Sequence, residues 1–193
     1  LGYSKGTPDL QVTLATRPDA RKYVAAFISV AGASGGSPIA DSIPDQVQKY
    51  GGYTNKATCK GDATKGMASL RRDERQRFLA TYPHPFVATY SLPAVMDEEA
   101  IKATKLSTAA ILSTYDKYHD GQVLKGDAII PESSYLGFAK SDHLSVALAF
   151  EQTSEGATAK YPRSALLEAL LRFVIDDLDK NPSKLKVSVP AAT

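Results

Sequence analysis

The pattern of hydrophobic and polar residues predicts helices that alternate with short buried strands. Residues 24–32 are almost all apolar and end at a glycine, as expected for a strand that is buried on both faces of a parallel sheet. A second segment of strand character spans residues 85–95, and a shorter one spans residues 134–139. Helices that alternate with such strands indicate an α/β fold.

Apolar residues recur with helical spacing in segments 7–23, 69–82, 97–118 and 162–180. Pro8 and Asp9 suit the first turn of the first helix, and Ser69 is a candidate N-cap for the second. The third segment is predicted to form one continuous helix. The last segment predicts a helix with a broad apolar face that runs from Leu166 to Leu178.

Residues 33–85 differ in composition from the predicted core. They are rich in glycine, serine and threonine and contain only one convincing helical pattern. A stretch of this length between two core strands is typical of a cap or lid. We therefore predict that residues 1–193 form one partial α/β domain, with residues 33–85 as an inserted cap or lid.

Composition and charge exclude several classes of function. The chain has 193 residues, of which 43% are hydrophobic and 23% charged, as in an ordinary globular domain. The net charge is +2 and no basic cluster recurs, which argues against nucleic acid as a partner. No apolar run approaches the roughly 20 residues of a membrane-spanning helix. The single cysteine, Cys59, lacks metal-ligand spacing to any histidine, and we predict neither a cofactor nor a metal.

Residues 2–6 read Gly-Tyr-Ser-Lys-Gly, which is the G-x-S-x-G pattern of a nucleophile elbow. In such an elbow the serine lies on a tight bend between a strand and a helix. The flanking glycines lack the Cβ atoms that would collide in that bend. Ser4 is therefore a candidate nucleophile.

A serine hydroxyl is a weak nucleophile at neutral pH, so it needs a base, and the base needs an acid to hold its tautomer. His143 directly follows the last predicted strand, at the carboxyl edge where α/β sheets place their sites. His84 lies between two prolines and is predicted to be in a surface turn. His119 lies at the end of the long predicted helix, where a cation suits the helix dipole, and we expect a structural or supporting role.

The acid is sought between the serine and the histidine, because that is its position in chain order on such sheets. Asp120 precedes Gly121 on a loop before the last predicted strand, although Asp-Gly is also an ordinary turn. Asp127 is the rival candidate, and Asp142 is too close to His143 in sequence to orient it. Chain order and topology together favour Ser4, Asp120 and His143.

These residues give the sequence a resemblance to the C-terminal part of an α/β-hydrolase, most similar to bacterial triacylglycerol lipases and their esterase relatives. Four short segments carry the resemblance, and their order is more specific than any one of them: GYSKG, GASGGSPIAD, HDGQV and SDHLSV. The resemblance implies a parallel sheet flanked by helices and a serine hydrolase that cleaves a small-molecule or lipid ester through an acyl-enzyme. It also implies that the backbone N–H of Lys5 forms one half of the oxyanion hole.

Two departures from the lipases bear on the substrate and on calcium. Ser145 stands where those lipases carry a calcium-binding aspartate, and a possible match at Asp97 does not establish a calcium site. The side chain of Lys5 makes the mouth of the site more polar, which argues against long-chain lipids.

Phe78 and Leu79 either turn toward an acyl pocket beneath the cap or are simple core contacts.

The resemblance begins at the elbow, whereas related hydrolases have several strands before it. We therefore expect that the sequence is part of a longer hydrolase and that this part alone is inactive, with exposed strand edges. Two alternatives stay open. The same fold can serve as a non-catalytic binding domain, and the same residues can transfer an acyl group to an alcohol other than water. Neither oligomeric state nor compartment is predicted.

Overall fold

The computed structural model describes residues 1–42, 63–104, 107–148 and 161–185. Its centre is a parallel four-stranded sheet in the order β1-β2-β3-β5, beside a parallel two-stranded pair of β4 and β6. The strands are β1 (Gly2–Tyr3), β2 (Ala26–Val30), β3 (Ala88–Leu92), β4 (Ala94–Val95), β5 (Ser134–Tyr135) and β6 (Ala139–Lys140).

Helices connect these strands in the manner of an α/β fold. The helices are α1 (Gly6–Thr16), α2 (Pro18–Arg21), α3 (Pro38–Ser42), α4 (Ala63–Ala68), α5 (Arg72–Thr81), α6 (Glu98–Ala103), α7 (Ser107–Ser113) and α8 (Arg163–Lys180), followed by a 3₁₀ turn (Pro182–Leu185). None of the helices in the described ranges has the length and apolar content that a bilayer-spanning segment needs.

The two central strands pair in register from Ala26 with Ala88 to Val30 with Leu92. One face of the sheet buries Phe27 with Leu14 of α1, and the opposite face buries Ile28, Val30 and Tyr90 with α8. Burial on both faces explains the nearly continuous apolar sequence of β2. The parallel sheet flanked by helices is thus confirmed.

The predicted third helix is wrong in one respect, because it is divided into α6 and α7. Thr104 ends α6 with an extended backbone, at φ −67° and ψ 141°. The two helices pack differently: α6 has no buried residue, whereas α7 buries Ala109 and Leu112. Periodicity within one segment did not reveal that its two halves lie in different environments. Lys105 and Leu106, which separate the two helices, lie outside the described residues.

The predicted N-cap at Ser69 is also wrong. Helix α5 begins at Arg72, and the Ser69 hydroxyl instead donates to the carbonyl of Gly66. The backbone N–H of Arg72 is satisfied by the carboxylate of Asp41, which is 31 residues earlier in the chain, at 3.0 Å. A distant carboxylate therefore supplies the acceptor that a local side chain was expected to provide.

Helix α8 confirms the predicted element, but its buried stripe is narrower than predicted. Leu170, Val174 and Leu178 are buried against the sheet. Leu166 is partly buried against the same cluster, whereas four large apolar side chains of the helix are about half exposed, namely Leu167, Leu171, Phe173 and Ile175. Only the stripe that faces the strands is covered by the described residues.

The segment predicted as a cap lies between β2 and β3, and its described part contains three helices and turns. Helices α3, α4 and α5 fall within it, whereas residues 43–62, including Cys59, lie outside the described ranges. Buried Arg75 of α5 donates to the Ser34 carbonyl at 2.8 Å and to Gln11 Oε1 at 2.7 Å. These bonds tie α5 to the loop after β2 and to α1.

Candidate active site

Ser4 lies on the tight turn between β1 and α1. Its φ of 51° is in the left-handed region, which non-glycine residues seldom adopt and which recurs at functional turns. The Ser4 carbonyl accepts hydrogen bonds from the backbone N–H groups of Thr7 at 3.1 Å and Ala33 at 3.2 Å. These two bonds attach the turn to α1 and to the loop after β2.

Only the first of the two elbow glycines is sterically required, which corrects the prediction for the second. A Cβ atom at Gly2 would lie 2.9 Å from Phe27 Cε2 and 3.0 Å from Thr7 Cα. A Cβ atom at Gly6 would meet nothing within 4 Å among the described residues. The close approach of β1 to Thr7 and Phe27 explains the difference.

His143 lies in a turn directly after β6, where Asp142 shapes the backbone. One carboxylate oxygen of Asp142 accepts hydrogen bonds from the N–H groups of Leu144 and Ser145, each at 2.9 Å. Such a turn is a common use of aspartate in loops. The imidazole of His143 is buried and places Nε2 2.8 Å from the Ser4 hydroxyl oxygen.

The other ring nitrogen of His143 meets Asp120. Nδ1 lies 2.7 Å from Asp120 Oδ2, and the His143 backbone N–H donates to the Asp120 carbonyl at 2.8 Å. Asp120 Oδ1 accepts from the N–H groups of Gln122 at 2.9 Å and Val123 at 2.7 Å. Gly121, at φ 95°, provides the bend in this loop. The Asp120 carboxylate thus has three donors in a buried position.

His119 supports the loop of Asp120 but is not the cation that was predicted at a helix end. The preceding helix, α7, ends at Ser113, and His119 is buried. Its Nδ1 accepts from the Gly121 N–H at 3.1 Å, so its Nε2 carries the proton toward Ser113 Oγ at 2.9 Å. Burial lowers the pKa of His119, which favours this neutral form.

The rival acids lie elsewhere. Asp127 Oδ2 is 3.2 Å from Arg72 Nε, at the start of α5. The Asp142 carboxylate is engaged within its own turn. His84 is exposed and pairs with Glu132 at 2.6 Å, in agreement with the predicted surface turn. The structure therefore brings together Ser4, His143 and Asp120.

Lys5 is the N-cap residue of α1, so its backbone N–H lies at the positive end of the helix dipole. Its ammonium group pairs with Asp9 at 2.6 Å on the surface.

The Asp97 oxygens accept from the Ala100 N–H at 2.8 Å and pair with Lys140 at 2.9 Å. Within the described ranges, no cluster of three or more histidine, cysteine or acidic residues could hold a metal.

Of the two interpretations of Phe78 and Leu79, acyl-pocket residues and core contacts, their described surroundings do not support the first. They border a cavity of about 30 Å³ whose lining includes Leu14, Phe27 and Ile130. Phe78 also stacks on the Arg75 guanidinium at 4.4 Å. Both side chains are therefore contacts between α5 and the core, which was the other interpretation of their sequence pattern.

Sequence reasoning missed Tyr3. Its hydroxyl donates to the His143 carbonyl at 2.6 Å, and its ring centroid lies 5.1 Å from the imidazole centroid. The position of Tyr3 in the motif could have indicated this contact, because the residue directly before the serine in G-x-S-x-G lies close to the residues that contact the serine.

A parallel sheet with helices on both faces and a serine on a strained turn after a strand is an α/β-hydrolase fold of the esterase and lipase type. Comparisons with known proteins support this assignment. The chain is similar to the metagenomic carboxyl esterase MGS0156, with 36% identity over 91% of this chain and a TM-score of 0.77. It is also similar to the mature Bacillus licheniformis lipase BlEst2, with 20% identity over 89% of this chain and a TM-score of 0.55.

The second likeness shows the fold alone. The chain spans 55% of the esterase chain and 63% of the lipase chain. No known family profile matches the sequence, and no curated protein matches it.

Proposed function

We propose that the protein hydrolyses carboxylic esters through an acyl-enzyme formed on Ser4. The observation that carries the proposal is the continuous contact from Asp120 through His143 to Ser4, with distances of 2.7 Å and 2.8 Å. The 36% identity to a carboxyl esterase supports the same reaction class. The alternative of a non-catalytic binding domain would be favoured by a long Ser4 to His143 distance, which is not what we observe.

The hydrogen-bond donors fix the direction of proton transfer. A carboxylate only accepts hydrogen bonds, so the His143 nitrogen that faces Asp120 carries a proton and the Nε2 lone pair faces Ser4. Nε2 takes the Ser4 proton as the serine oxygen attacks the ester carbonyl carbon. The resulting imidazolium is stabilised by Asp120 and gives its proton to the leaving alcohol. Water, activated by the same nitrogen, then releases the acid and restores Ser4.

We assign one oxyanion donor to the backbone N–H of Lys5. It directly follows the nucleophile and lies at the start of α1, where the helix dipole favours negative charge. The Lys5 and Asp9 side chains keep a charged pair beside Ser4. Charged groups at the mouth favour small or polar esters over long-chain lipids.

We also propose that residues 33–85 act as a cap over the acyl side of the site. A Cβ atom at Gly66 of α4 would lie 3.7 Å from Lys5 Cε, so the backbone of this segment lies near the side chain of the residue that follows the nucleophile. The bonds of Arg75 anchor α5 to the core. A cap held in this way can limit the length of the acyl group without contributing to the chemistry.

The test is ester hydrolysis by the full-length protein with p-nitrophenyl acetate, butyrate and decanoate. We expect faster turnover of the two short esters, and Ser4→Ala should lower kcat by at least about a thousandfold. Ser69→Ala is the matched control, because this exposed hydroxyl bonds only locally to Gly66 in the cap. Retained hydrolysis in Ser4→Ala, or no hydrolysis by the folded wild-type protein, would contradict the proposal.

A further inference from the structure

We propose that Tyr3 is a positioning residue that holds His143 in the geometry that reaches Ser4. The inference rests on the proposed function, because it concerns the base of that reaction. Its starting point is the Tyr3 hydroxyl, which donates to the backbone carbonyl of His143 at 2.6 Å across 140 residues of sequence.

The backbone of His143 is held at both ends. Its N–H donates to the Asp120 carbonyl at 2.8 Å, and its carbonyl accepts from Tyr3 at 2.6 Å. One contact comes from the residue that orients the imidazole, and the other comes from the residue directly before the nucleophile. The position of the base is thus tied to both of its partners through the main chain as well as through the side chain.

The Tyr3 ring adds a second restraint on the imidazole itself. The two ring centroids are 5.1 Å apart with an interplanar angle of 32°, within the range of favourable aromatic contacts. The ring thus covers part of the imidazole and opposes rotation of the His143 side chain away from Ser4.

The phenol group remains a donor across the working range of such an enzyme. Burial raises the pKa of Tyr3, and the nearby carboxylates of Asp120 and Asp142 raise it further. Its proton is therefore held at neutral and at moderately alkaline pH, so the bond to the His143 carbonyl persists while the histidine exchanges protons.

Tyr3→Phe in the full-length protein isolates the hydrogen bond, because it keeps the ring. Loss of one hydrogen bond that aligns the base should lower kcat about three- to tenfold. KM should stay unchanged, because the contact that is lost is one with the base, His143. Tyr3→Leu also removes the ring contact and should lower kcat by about a hundredfold, the scale of an ångström-size misplacement. The rate of Ser4 labelling by a fluorophosphonate should fall in parallel with kcat.

Tyr90→Phe is the matched control. Tyr90 is another tyrosine whose hydroxyl makes a long-range hydrogen bond, to Asp177 on α8 at 2.6 Å. The Tyr90→Phe substitution should lower the thermal stability of the protein without changing kcat. A merely structural role for Tyr3 predicts equal behaviour of the two variants.

The outcomes separate this inference from the proposed function. If wild type is active and Tyr3→Phe keeps its kcat, or if Tyr90→Phe loses as much kcat, the positioning role is overturned while ester hydrolysis stands. If folded wild type neither turns over esters nor labels at Ser4, the proposed function fails and the role of Tyr3 fails with it. Reduced kcat at constant KM in Tyr3→Phe alone supports the inference.

Discussion

Two aspartates seven residues apart in sequence, the buried Asp120 and the partly buried Asp127, lie in regions of opposite character. Asp120 belongs to the acid loop, residues 119–124, where its carboxylate accepts from two backbone N–H groups and faces His143. Asp127 belongs to the cap junction, which we define as Asp41, Arg72 and Asp127. There its Oδ2 lies 3.2 Å from Arg72 Nε, yet neither atom has a hydrogen-bond partner within the described residues.

The difference shows that burial alone does not make a carboxylate useful for chemistry. In the acid loop, Gly121 turns the chain so that main-chain N–H groups converge on the carboxylate. In the cap junction, by contrast, the Gly35 N–H donates at 2.7 Å to the backbone carbonyl of Asp127 and not to its carboxylate. Burial there raises the pKa of Asp127 to about 6, against the opposing effect of Arg72. An aligned set of donors therefore distinguishes the two sites.

The largest expected effect comes from replacing each aspartate by asparagine. Asp120→Asn should lower kcat on p-nitrophenyl butyrate by about 10³- to 10⁴-fold, because the amide no longer enforces the tautomer of His143. Asp127→Asn should leave kcat near the wild-type value, since it contacts none of Ser4, His143 and Asp120. Equal losses in the two variants would erase the contrast between the regions. Circular dichroism of both variants checks that they are folded.

A pair of glycine variants sharpens the contrast within the elbow. Gly2→Ala should lower the free energy of unfolding by about 1–3 kcal/mol, because the new methyl group overpacks against Thr7 and Phe27. Gly6→Ala should change it by less than about 1 kcal/mol, with a stabilising sign, because alanine favours the helix and meets no neighbour. Urea unfolding of both variants provides the measurement. The elbow geometry would be wrong if Gly6→Ala were the more damaging.

The smallest effect is the pH dependence of stability from Asp127. Its folded pKa of about 6 exceeds its ordinary value of 3.8, so the folded state binds the proton more tightly than the unfolded state does. Its contribution is fully present below about pH 4 and is lost as the pH rises through 6. The loss should be about 1–2 kcal/mol, allowing for the remaining solvent access and for Arg72.

Asp127→Asn should flatten that part of the profile. Urea unfolding at pH 4.5 and pH 7.5 compares the variant with wild type, and Asp73→Asn at an exposed position is the control. An unchanged pH slope in Asp127→Asn would show that this carboxylate is not the group responsible.

Much of the core and the candidate site was predictable from the sequence, because the relevant signals are local. The apolar run of β2 reflects burial on both faces, and the chain order of Ser4, Asp120 and His143 follows from sheet topology. The motif around Ser4 also placed a helix directly after it, which α1 confirms.

The features that were missed depend on contacts between distant segments. Asp41 satisfies the start of α5, Tyr3 reaches the carbonyl of His143, and Arg72 approaches Asp127. The break at Thr104 arises because α6 and α7 pack in different surroundings. No periodicity or motif within one segment carries that information. The preference for Asp120 over Asp127 rested on chain order and predicted topology together, whereas the donors that distinguish the two carboxylates became visible only in three dimensions.

The most direct test of the central claim is covalent labelling of the full-length protein with a fluorophosphonate, followed by peptide mapping. The account predicts one adduct, on Ser4, that is absent in Ser4→Ala and forms much more slowly in Asp120→Asn than in Asp127→Asn. A folded protein that acquires no adduct on Ser4, or that labels equally fast in both aspartate variants, would contradict the assignment of Ser4, His143 and Asp120 as one catalytic unit.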